Sequence, residues 1–484
     1  MKKLLSFLLA LVMLLSLAAC TAKENTETPE ADAPVADTPE EKLAEQENTQ
    51  LVEQEPPANK EVQTVSYFCT TGAYLDLLVS EIDKWNQTVG AEKGVYIEIT
   101  SNINDGASAL EMQMQAGNYW DIMPGTKNLD WVLQGWVKDL STIENEEVKA
   151  LIASYEEYIT PGVSIVGGIL ANIPMECTPV KMVVNKDLFE KSGLDYPKTW
   201  DDVVECAKII TEDNPGEAWG FGGTNWGSYW RRLLMKETAS SIETFYWDPN
   251  TETYSFDQYK PVMDAVKEMY LNGWMLGLDD LAIDPIRAEF ANGRVAMFPA
   301  PAYDWSVYTN QFPATCNWEF IDPPTLTEEG ATYKGLAFSA PNVSICAPAY
   351  DNASPEKQRA IEEAWLFLCS DELIGTIYAN AGMIPVKQSI VENTEVIITE
   401  NVEQWEFMAD MTNYALEPSR PDNVLPLEGD KFNVVFAAYV HGEGEWDEIV
   451  ADLEERYNAA YQAAKADPDI DTSTFSGEWD HNLD

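Results

Sequence analysis

The residues that most often carry catalysis are few in this chain and stand far apart. Only two histidines occur among the 484 residues, His441 and His481, so a Ser-His-Asp or Cys-His mechanism would have to use one of them. The six cysteines after Cys20 have long, irregular spacings without a CxxC pair. They indicate buried free thiols, or a disulfide in an exported chain, and not a zinc site. These counts argue against histidine-based catalysis and against a zinc site, and the sequence predicts no metal and no cofactor.

Glycine and acidic residues carry two further patterns. The stretch GFGGTNWG at 220–227 does not match GxGxxG and follows no βαβ fingerprint, which argues against nucleotide binding. The 82 Asp and Glu outnumber the 30 Lys and Arg and give a net charge of -52. Because the acids are spread along the chain, they indicate a solvated acidic surface. This charge argues against nucleic acid as a partner, whereas a cationic ligand stays open.

The apolar pattern predicts the elements that must position any site. A β-prone run at 64–69, an amphipathic helix at 72–88, a second run at 95–100 and a helix at 107–115 indicate an α/β layer with a parallel sheet. Further on, a strand ends at Val184 and Asn185 can cap the helix that follows. Gly193 is the expected stop of that helix, and Thr199 is a good cap for the next one.

The N-terminus reads as a targeting segment. Lys2 and Lys3 precede an apolar run at 4–17, and Leu17-Ala18-Ala19-Cys20 resembles a bacterial lipoprotein box. The pattern predicts a signal peptide at 1–19 and lipidation of Cys20, so that the mature protein is held at the cell membrane through lipid only. Residues 20–63 are rich in Glu, Thr, Pro and Ala, which predicts a disordered acidic tether.

Ordered motifs along the chain resemble one family. The segments NKDLFEKSGLD at 185–195 and PKTWDD at 197–202 resemble a signature of family 1 of the extracellular solute-binding proteins, the sugar-type binding proteins of ABC importers that are related to maltose-binding protein. Further landmarks in the family's order are QAGNYWDIM at 115–123, VSIVGGILANIP at 163–174, AEFANGRVAM at 288–297, EEAWLFL at 362–368 and YANAGMIPV at 378–386. One departure is Trp120, which stands where the family has Pro before Asp121.

The resemblance implies an α/β, two-lobed periplasmic-binding-protein-like fold of type II. Each lobe is a sheet flanked by helices, and the ligand lies in the interlobe cleft. The implied division places 64–177 in the first lobe and 178–295 in the second, with 296–347 as a return segment of the first lobe and 348–484 as the rest of the second.

The resemblance also implies where a ligand is bound. A sugar presents apolar CH faces and hydroxyls, so its site needs flat aromatic side chains and hydrogen-bonding groups. The candidates lie in a loop expected after the third strand, at the first hinge, in the glycine-rich turn and in the loop after 301; they are Trp120, Asp121, Glu176, Trp226, Tyr229, Trp230, Tyr303 and Trp305. Core packing, local capping and hinge structure are the alternative roles for these side chains.

The implied function is binding and not catalysis. The resemblance implies the substrate-binding component of an ABC importer, a monomer that captures a carbohydrate, such as an oligosaccharide, and delivers it to the transmembrane subunits of a permease. Its implied location is the extracellular side of the membrane or the periplasm. Two alternatives stay open. One is a binding protein for a polyamine, a phosphodiester or a peptide; a site for a cation should show converging carboxylates. The other is a surface glycosidase with paired carboxylates.

Overall fold

The computed structural model describes residues 62–72, 74–102, 106–125, 129–225, 227–241, 245–279, 282–326, 334–467, 470, 472 and 475–477. The predicted signal peptide at 1–19, the lipidation site Cys20 and the predicted tether through residue 61 lie outside the described residues. Trp226 lies outside them as well. Among the residues that are described, no helix is both long enough and apolar enough to cross a membrane.

The described residues contain fifteen strands and eighteen α-helices, which are numbered in chain order. The strands are β1 Gln63–Cys69, β2 Val95–Ser101, β3 Ile122–Pro124, β4 Ile165–Val166, β5 Ile169–Leu170, β6 Glu176–Asn185, β7 Trp219–Gly223, β8 Trp247–Asp248, β9 Thr253–Tyr254, β10 Met275–Gly277, β11 Val295–Pro301, β12 Trp318–Ile321, β13 Gly335–Ala340, β14 Val343–Ile345 and β15 Tyr414–Leu416. The helices are α1 Leu75–Gln87, α2 Val89–Lys93, α3 Gly106–Gln115, α4 Leu129–Leu133, α5 Glu146–Ala153, α6 Lys186–Ser192, α7 Trp200–Asp213, α8 Gly227–Ser241, α9 Lys260–Leu271, α10 Asp284–Ala291, α11 Asp304–Ser306, α12 Ala347–Asp351, α13 Pro355–Leu368, α14 Asp371–Ala379, α15 Gln388–Asn393, α16 Val402–Ala409, α17 Phe432–Val440 and α18 Trp446–Ala466.

The first sheet has four strands in the order β14-β3-β1-β2. β1 is parallel to β2 and β3, and β14 is antiparallel to β3, so the predicted parallel α/β layer is confirmed. The predicted amphipathic helix is α1, which buries Leu78, Ile82 and Trp85. With the helices that cover it, this sheet forms what is called here the first lobe.

The second sheet has seven strands, in the order β10-β7-β11-β6-β13-β15, with β12 also paired to β6. Its centre is β6, ten residues of which all but the first are buried. One edge of β6 pairs antiparallel with β11, and the other edge pairs with β13 and then with β12. Because successive residues of a strand point to opposite faces, the burial of β6 shows that both faces of the sheet are covered there. This sheet and its helices form the second lobe.

The sheets divide the chain differently from the predicted division. Strands β11, β12 and β13, between residues 295 and 340, belong to the second sheet. Among the described residues of the segment 296–347, only β14 joins the first sheet. Helices α13 and α14, which the prediction placed in the second lobe, pack in the first lobe, where α13 contacts β1 and β2. The motifs give the order of the strands, whereas strand partners depend on contacts between residues far apart in sequence.

Three segments meet where the two sheets join. The backbone of Met175 donates to Ala340 O at 3.0 Å, and Cys177 N donates to Ile384 O at 2.9 Å. Met175 and Cys177 stand at the start of β6, Ala340 ends β13, and Ile384 follows α14. In the part of the chain that the structure describes, three neighbouring connections therefore pass between the lobes.

Local signals in the sequence are confirmed. Asn185 caps α6 by accepting from Leu188 N at 3.3 Å, and Gly193 ends that helix in the left-handed region with φ 65°. Thr199 and Asp202 form a reciprocal capping box at the start of α7. Helix α16 ends at Ala409 and does not continue to Tyr414. Tyr414 instead begins β15, where pairing with β13 and complete burial stabilise it as a strand.

Candidate functional site

A cavity of about 450 Å³ lies against the segment that follows β15. Helix α8 contributes its amino end, which contains Gly227, Ser228 and Arg231. The cavity is lined by Gly162, Val163, Gly227, Ser228, Arg231, Tyr246, Glu417, Pro418, Ser419, Arg420, Asp422, Leu425, Leu427, Lys431, Phe432, Asn433 and Tyr457.

Both lobes contribute to this cavity. Gly162 and Val163 precede the β4–β5 hairpin, whose Val166 belongs to the same apolar cluster as Phe68 and Trp131 in the first lobe. The other lining residues belong to the second lobe. The cavity therefore has the position of a site between two lobes.

One part of the cavity wall is a saturated polar network around Asp422. Its carboxylate accepts from the Tyr246 hydroxyl at 2.7 Å, from the Tyr254 hydroxyl at 2.6 Å and from Arg420 Nη1 at 3.1 Å. Arg420 also donates to the Tyr246 hydroxyl and stacks on the Phe245 ring with 4.9 Å between Cζ and the ring centre. Burial disfavours the charged form of Arg420, yet Tyr246, Glu417 and Asp422 together raise its pKa above the usual arginine value. This guanidinium therefore stays charged and fixed.

A second part of the wall is less completely paired. Glu417 Oε1 lies 3.9 Å from Arg231 Nη1, and Glu417 Oε2 lies 3.6 Å from Arg420 Nη2. Both distances allow charge attraction but exceed a hydrogen bond. The Arg231 guanidinium is placed by the Phe338 ring, whose centre lies 5.2 Å from Cζ. Glu417 thus lies between two guanidinium groups.

Three buried polar atoms at this wall have no hydrogen-bond partner among the residues that the structure describes. They are Arg231 Nε, Glu417 Oε2 and Ser419 Oγ, and all three residues line the cavity. Buried polar groups are normally paired, and an unpaired one costs about 1–3 kcal/mol. The three atoms lie on the same part of the wall, where Glu417 stands between the two guanidinium groups.

Tyr303 lies in a second arginine cluster of the same lobe. Arg232 Nη2 donates to its hydroxyl, and the Cζ atoms of Arg232 and Arg287 each lie 5.6 Å from its ring centre. Arg287 is paired with the fully buried Asp304. Burial raises the pKa of Tyr303, against the opposing effect of Arg232, so the hydroxyl stays protonated. Four of the seven arginines of the chain, 231, 232, 287 and 420, thus gather in this region.

The other predicted aromatic residues of the second lobe lie deeper. Tyr229 and Trp230 have no exposed surface, and Trp305 has only 5%. Tyr229 donates to Gly222 O at 2.8 Å, and Trp305 Nε1 donates to Asn401 O at 3.1 Å. In this conformation these side chains support the lobe and present no face to a ligand, whereas the ring of Tyr303 is only partly buried.

Trp120 and Asp121 require a correction. They were expected in a loop after the third strand, but they precede β3, because that strand begins at Ile122. The Asp121 carboxylate accepts from Ser66 N and from Lys357 Nζ, each at 2.7 Å. Trp120 packs edge-on against Phe68 with 4.9 Å between ring centres. Both residues therefore tie β1 to its neighbours in the first lobe.

The hinge candidate Glu176 begins β6 and is half-buried. Its carboxylate accepts from Thr178 Oγ1 at 3.2 Å, and its backbone pairs with Pro385. Glu176 is not among the lining residues of the described cavity. Among the described residues of the glycine-rich stretch 220–227, only Gly227 lines the cavity, and Ser228, the next residue along the chain, lines it as well.

Sequence reasoning missed the residues that line the wall of the cavity. Gly162, Arg231 and Glu417 are separated by up to 255 positions, so no local pattern joins them. The sequence offered one signal for these residues: arginine is rare in this chain, and two of its seven arginines line the cavity. A lining residue, Arg231, follows directly after two predicted aromatic residues, and Arg420 stands in the polar segment Glu417-Pro418-Ser419-Arg420.

Comparisons with known proteins agree with this architecture. The model of a family described as bacterial extracellular solute-binding protein matches residues 79–349. A binding protein of Brucella abortus (strain 2308) is 31% identical over 355 residues, which are 65% of this chain and 79% of that protein.

Solved structures share the fold at low sequence identity. The apo form of RafE from Streptococcus pneumoniae superposes with a TM-score of 0.57 at 18% identity, over 84% of this chain and 100% of that one. RafE in complex with raffinose has a TM-score of 0.58 at 17% identity, over 82% of this chain and 99% of that one. The sugar-binding protein MalE from Xanthomonas citri has a TM-score of 0.60 at 15% identity, over 83% of this chain and 98% of that one. The expected two-lobed periplasmic-binding-protein-like fold of type II is thereby confirmed.

Proposed function

We propose that this chain, which belongs to the family of bacterial extracellular solute-binding proteins, captures a carbohydrate in the cavity of about 450 Å³ and delivers it to the permease of an ABC importer. The ligand is bound and released without chemical change. Contacts from both lobes, through Gly162 on one side and Arg231 and Glu417 on the other, favour the closed arrangement when ligand is present.

The observation that carries this proposal is the composition of the cavity wall. It combines aromatic rings, contributed by Tyr246, Phe432 and Tyr457, with guanidinium, carboxylate, hydroxyl and amide groups. Sugars need both kinds of surface, because their CH faces pack on rings while their hydroxyls form hydrogen bonds. Relatives in fold include RafE in complex with raffinose and the sugar-binding protein MalE, which supports an oligosaccharide as the ligand.

The charges of the wall do not favour a polyamine as ligand or a glycosidase as function. A polyamine site needs carboxylates that converge without counterions, whereas Glu417 and Asp422 each have an arginine as neighbour. A glycosidase needs one carboxyl group that gives up a proton and a second that attacks or activates water. Asp422 is already held by Tyr246, Tyr254 and Arg420, and this argues against such a role.

Two further parts of the proposal concern residues outside the cavity. Tyr303 is the aromatic side chain proposed to contact the sugar from the second lobe, and Trp226 and Glu176 stay candidates. Cys20 is proposed to carry the lipid that holds a monomeric protein on the outer face of the cell membrane, where the permease is reached.

The test is thermal unfolding of the mature chain with raffinose, maltotriose, maltose and spermidine. A ligand that binds only the folded state stabilises it by about 2.7 kcal/mol at one hundred times its Kd, so a matching oligosaccharide should raise the melting temperature. An unrelated protein melted beside it controls for general stabilisation by excluded sugars. A shift with spermidine alone would contradict the proposal, as would release of monosaccharides during incubation.

A further inference from the structure

The three unpartnered atoms of the cavity wall differ from one another in chemistry. Arg231 Nε carries one N–H and can only donate. Glu417 Oε2, in an ionised carboxylate, can only accept, and Ser419 Oγ can do either. All three are buried without a hydrogen-bond partner in the described part of the chain. A matching ligand must therefore offer acceptors and donors close together, which is what neighbouring hydroxyl groups do.

We propose that Arg231, Glu417 and Ser419 form the hydroxyl-recognition set of this protein. In this arrangement one ligand oxygen accepts from Arg231 Nε while an adjacent hydroxyl donates to Glu417 Oε2, and the Ser419 hydroxyl binds the same pair or the next hydroxyl. The inference rests on the proposed function and specifies the class of ligand: an uncharged saccharide with hydroxyls on adjacent carbons.

The charge of the wall supports an uncharged ligand. The two positive charges of Arg231 and Arg420 are balanced by the two negative charges of Glu417 and Asp422. The closest nitrogen–oxygen distances in these ion pairs are 3.1 to 3.9 Å. The remaining cation of the wall, Lys431, is exposed, so water and salt screen its charge. A ligand with a carboxylate or an ammonium group would leave one charge unmatched in a partly buried site, which is unfavourable.

The sharpest test is Ser419→Ala, with Ser344→Ala as the matched control. Both hydroxyls are buried and lack a partner in the described chain, but Ser344 lies on β14 in the first lobe, away from the cavity. Neither substitution breaks a hydrogen bond of the free protein, so both variants should melt within a few degrees of the wild type. Calorimetric titration with raffinose and maltotriose should show at least about tenfold weaker binding for Ser419→Ala and no change for Ser344→Ala.

A second variant tests the acceptor. Glu417→Gln keeps the shape of the side chain and removes its charge, and Glu443→Gln removes the same charge from an exposed position. We expect about tenfold or greater loss of raffinose or maltotriose affinity for the first variant only. Trigalacturonate, which carries three carboxylates, should bind at least tenfold more weakly than maltotriose.

The outcomes separate this inference from the function on which it rests. If an oligosaccharide binds the wild type and Ser419→Ala and Glu417→Gln bind it within twofold, the recognition set is wrong while the proposed function stands. Tighter binding of trigalacturonate than of maltotriose would contradict the uncharged ligand. If no saccharide binds the wild type, the proposed function fails and the recognition set fails with it.

Discussion

At the scale of single residues, Gly162 determines how closely the first lobe approaches the cavity wall. Its φ of +72° lies in the left-handed region, and a Cβ atom built on it would lie 2.8 Å from Ser419 Oγ. Two separate constraints therefore select glycine here. The backbone needs the left-handed conformation, and the serine hydroxyl occupies the space that a side chain would take.

The variant Gly162→Ala should lose both stability and ligand affinity. The backbone conformation alone costs about 1–2 kcal/mol for an L-residue, and the displaced Ser419 should weaken saccharide binding about tenfold. Gly135→Ala is the control, because Gly135 has a φ of +70° and open space around it. It should lose similar stability in urea unfolding without any change in calorimetric affinity. Equal affinities for the two variants would contradict this account.

At the scale of an element, the central strand β6 contains a buried lysine. Lys181 Nζ lies 3.8 Å from the centre of the Phe407 ring and 5.0 Å from that of Tyr414, and 3.6 Å from Asp322 Oδ1. Burial lowers the pKa of Lys181 to about 8, although Asp322 and Asp410 favour its charged form; Lys334 acts in the same direction as burial. The strand thus contains a cation that folding makes less basic.

This lysine predicts a pH dependence of stability with a definite sign. Between a folded pKa of about 8 and an unfolded pKa near 10.5, the unfolded chain binds more protons, so the free energy of unfolding rises with pH. From pH 8 to pH 10 the contribution of this group is about 2 kcal/mol. Urea unfolding of the wild type and of Lys181→Met, both with reductant, gives the free energy of unfolding of each protein at pH 8 and at pH 10. Subtracting the two pH dependences removes the contribution of the titrating groups that the two proteins share. Equal pH slopes for the two proteins would contradict it.

At the scale of the whole molecule, the dominant feature is the net charge of -52. Repulsion among surface acids opposes the compact state, and salt screens it with a Debye length of about 10 Å at 0.1 M. An uncharged ligand in the cavity is insensitive to this field. The charge should therefore affect stability and leave recognition unchanged.

Raising the NaCl concentration from a low to a physiological value should increase the melting temperature of the mature chain. The affinity for an oligosaccharide should change less than twofold, because no ion pair forms on binding. Repeating both measurements in KCl separates screening from effects of a particular ion. A melting temperature that falls with salt, or an affinity that falls steeply with it, would contradict the prediction.

The sequence predicted those features that depend on neighbouring residues. The caps at Asn185 and Thr199 and the stop at Gly193 follow from hydrogen bonds and backbone freedom within a few positions, and the structure has each of them. The position of Asp121 was misjudged because the same motif can stand before or after a short strand. The cavity wall could not be predicted, because Gly162 and Ser419 become neighbours only when the two lobes are complete.

The arrangement of the first sheet determines when it can be completed during synthesis. Strand β3 ends at Pro124, and its neighbour β14 begins at Val343, about 220 residues later. At a translation rate of about 5–20 residues per second, β3 would leave the ribosome roughly 10–45 seconds before its partner exists. For that time one edge of the growing sheet is unpaired, and α13, which covers β1 and β2, has also not been made. The amino-terminal third of the chain therefore stays open to chaperones and to export machinery until most of the protein has been synthesised.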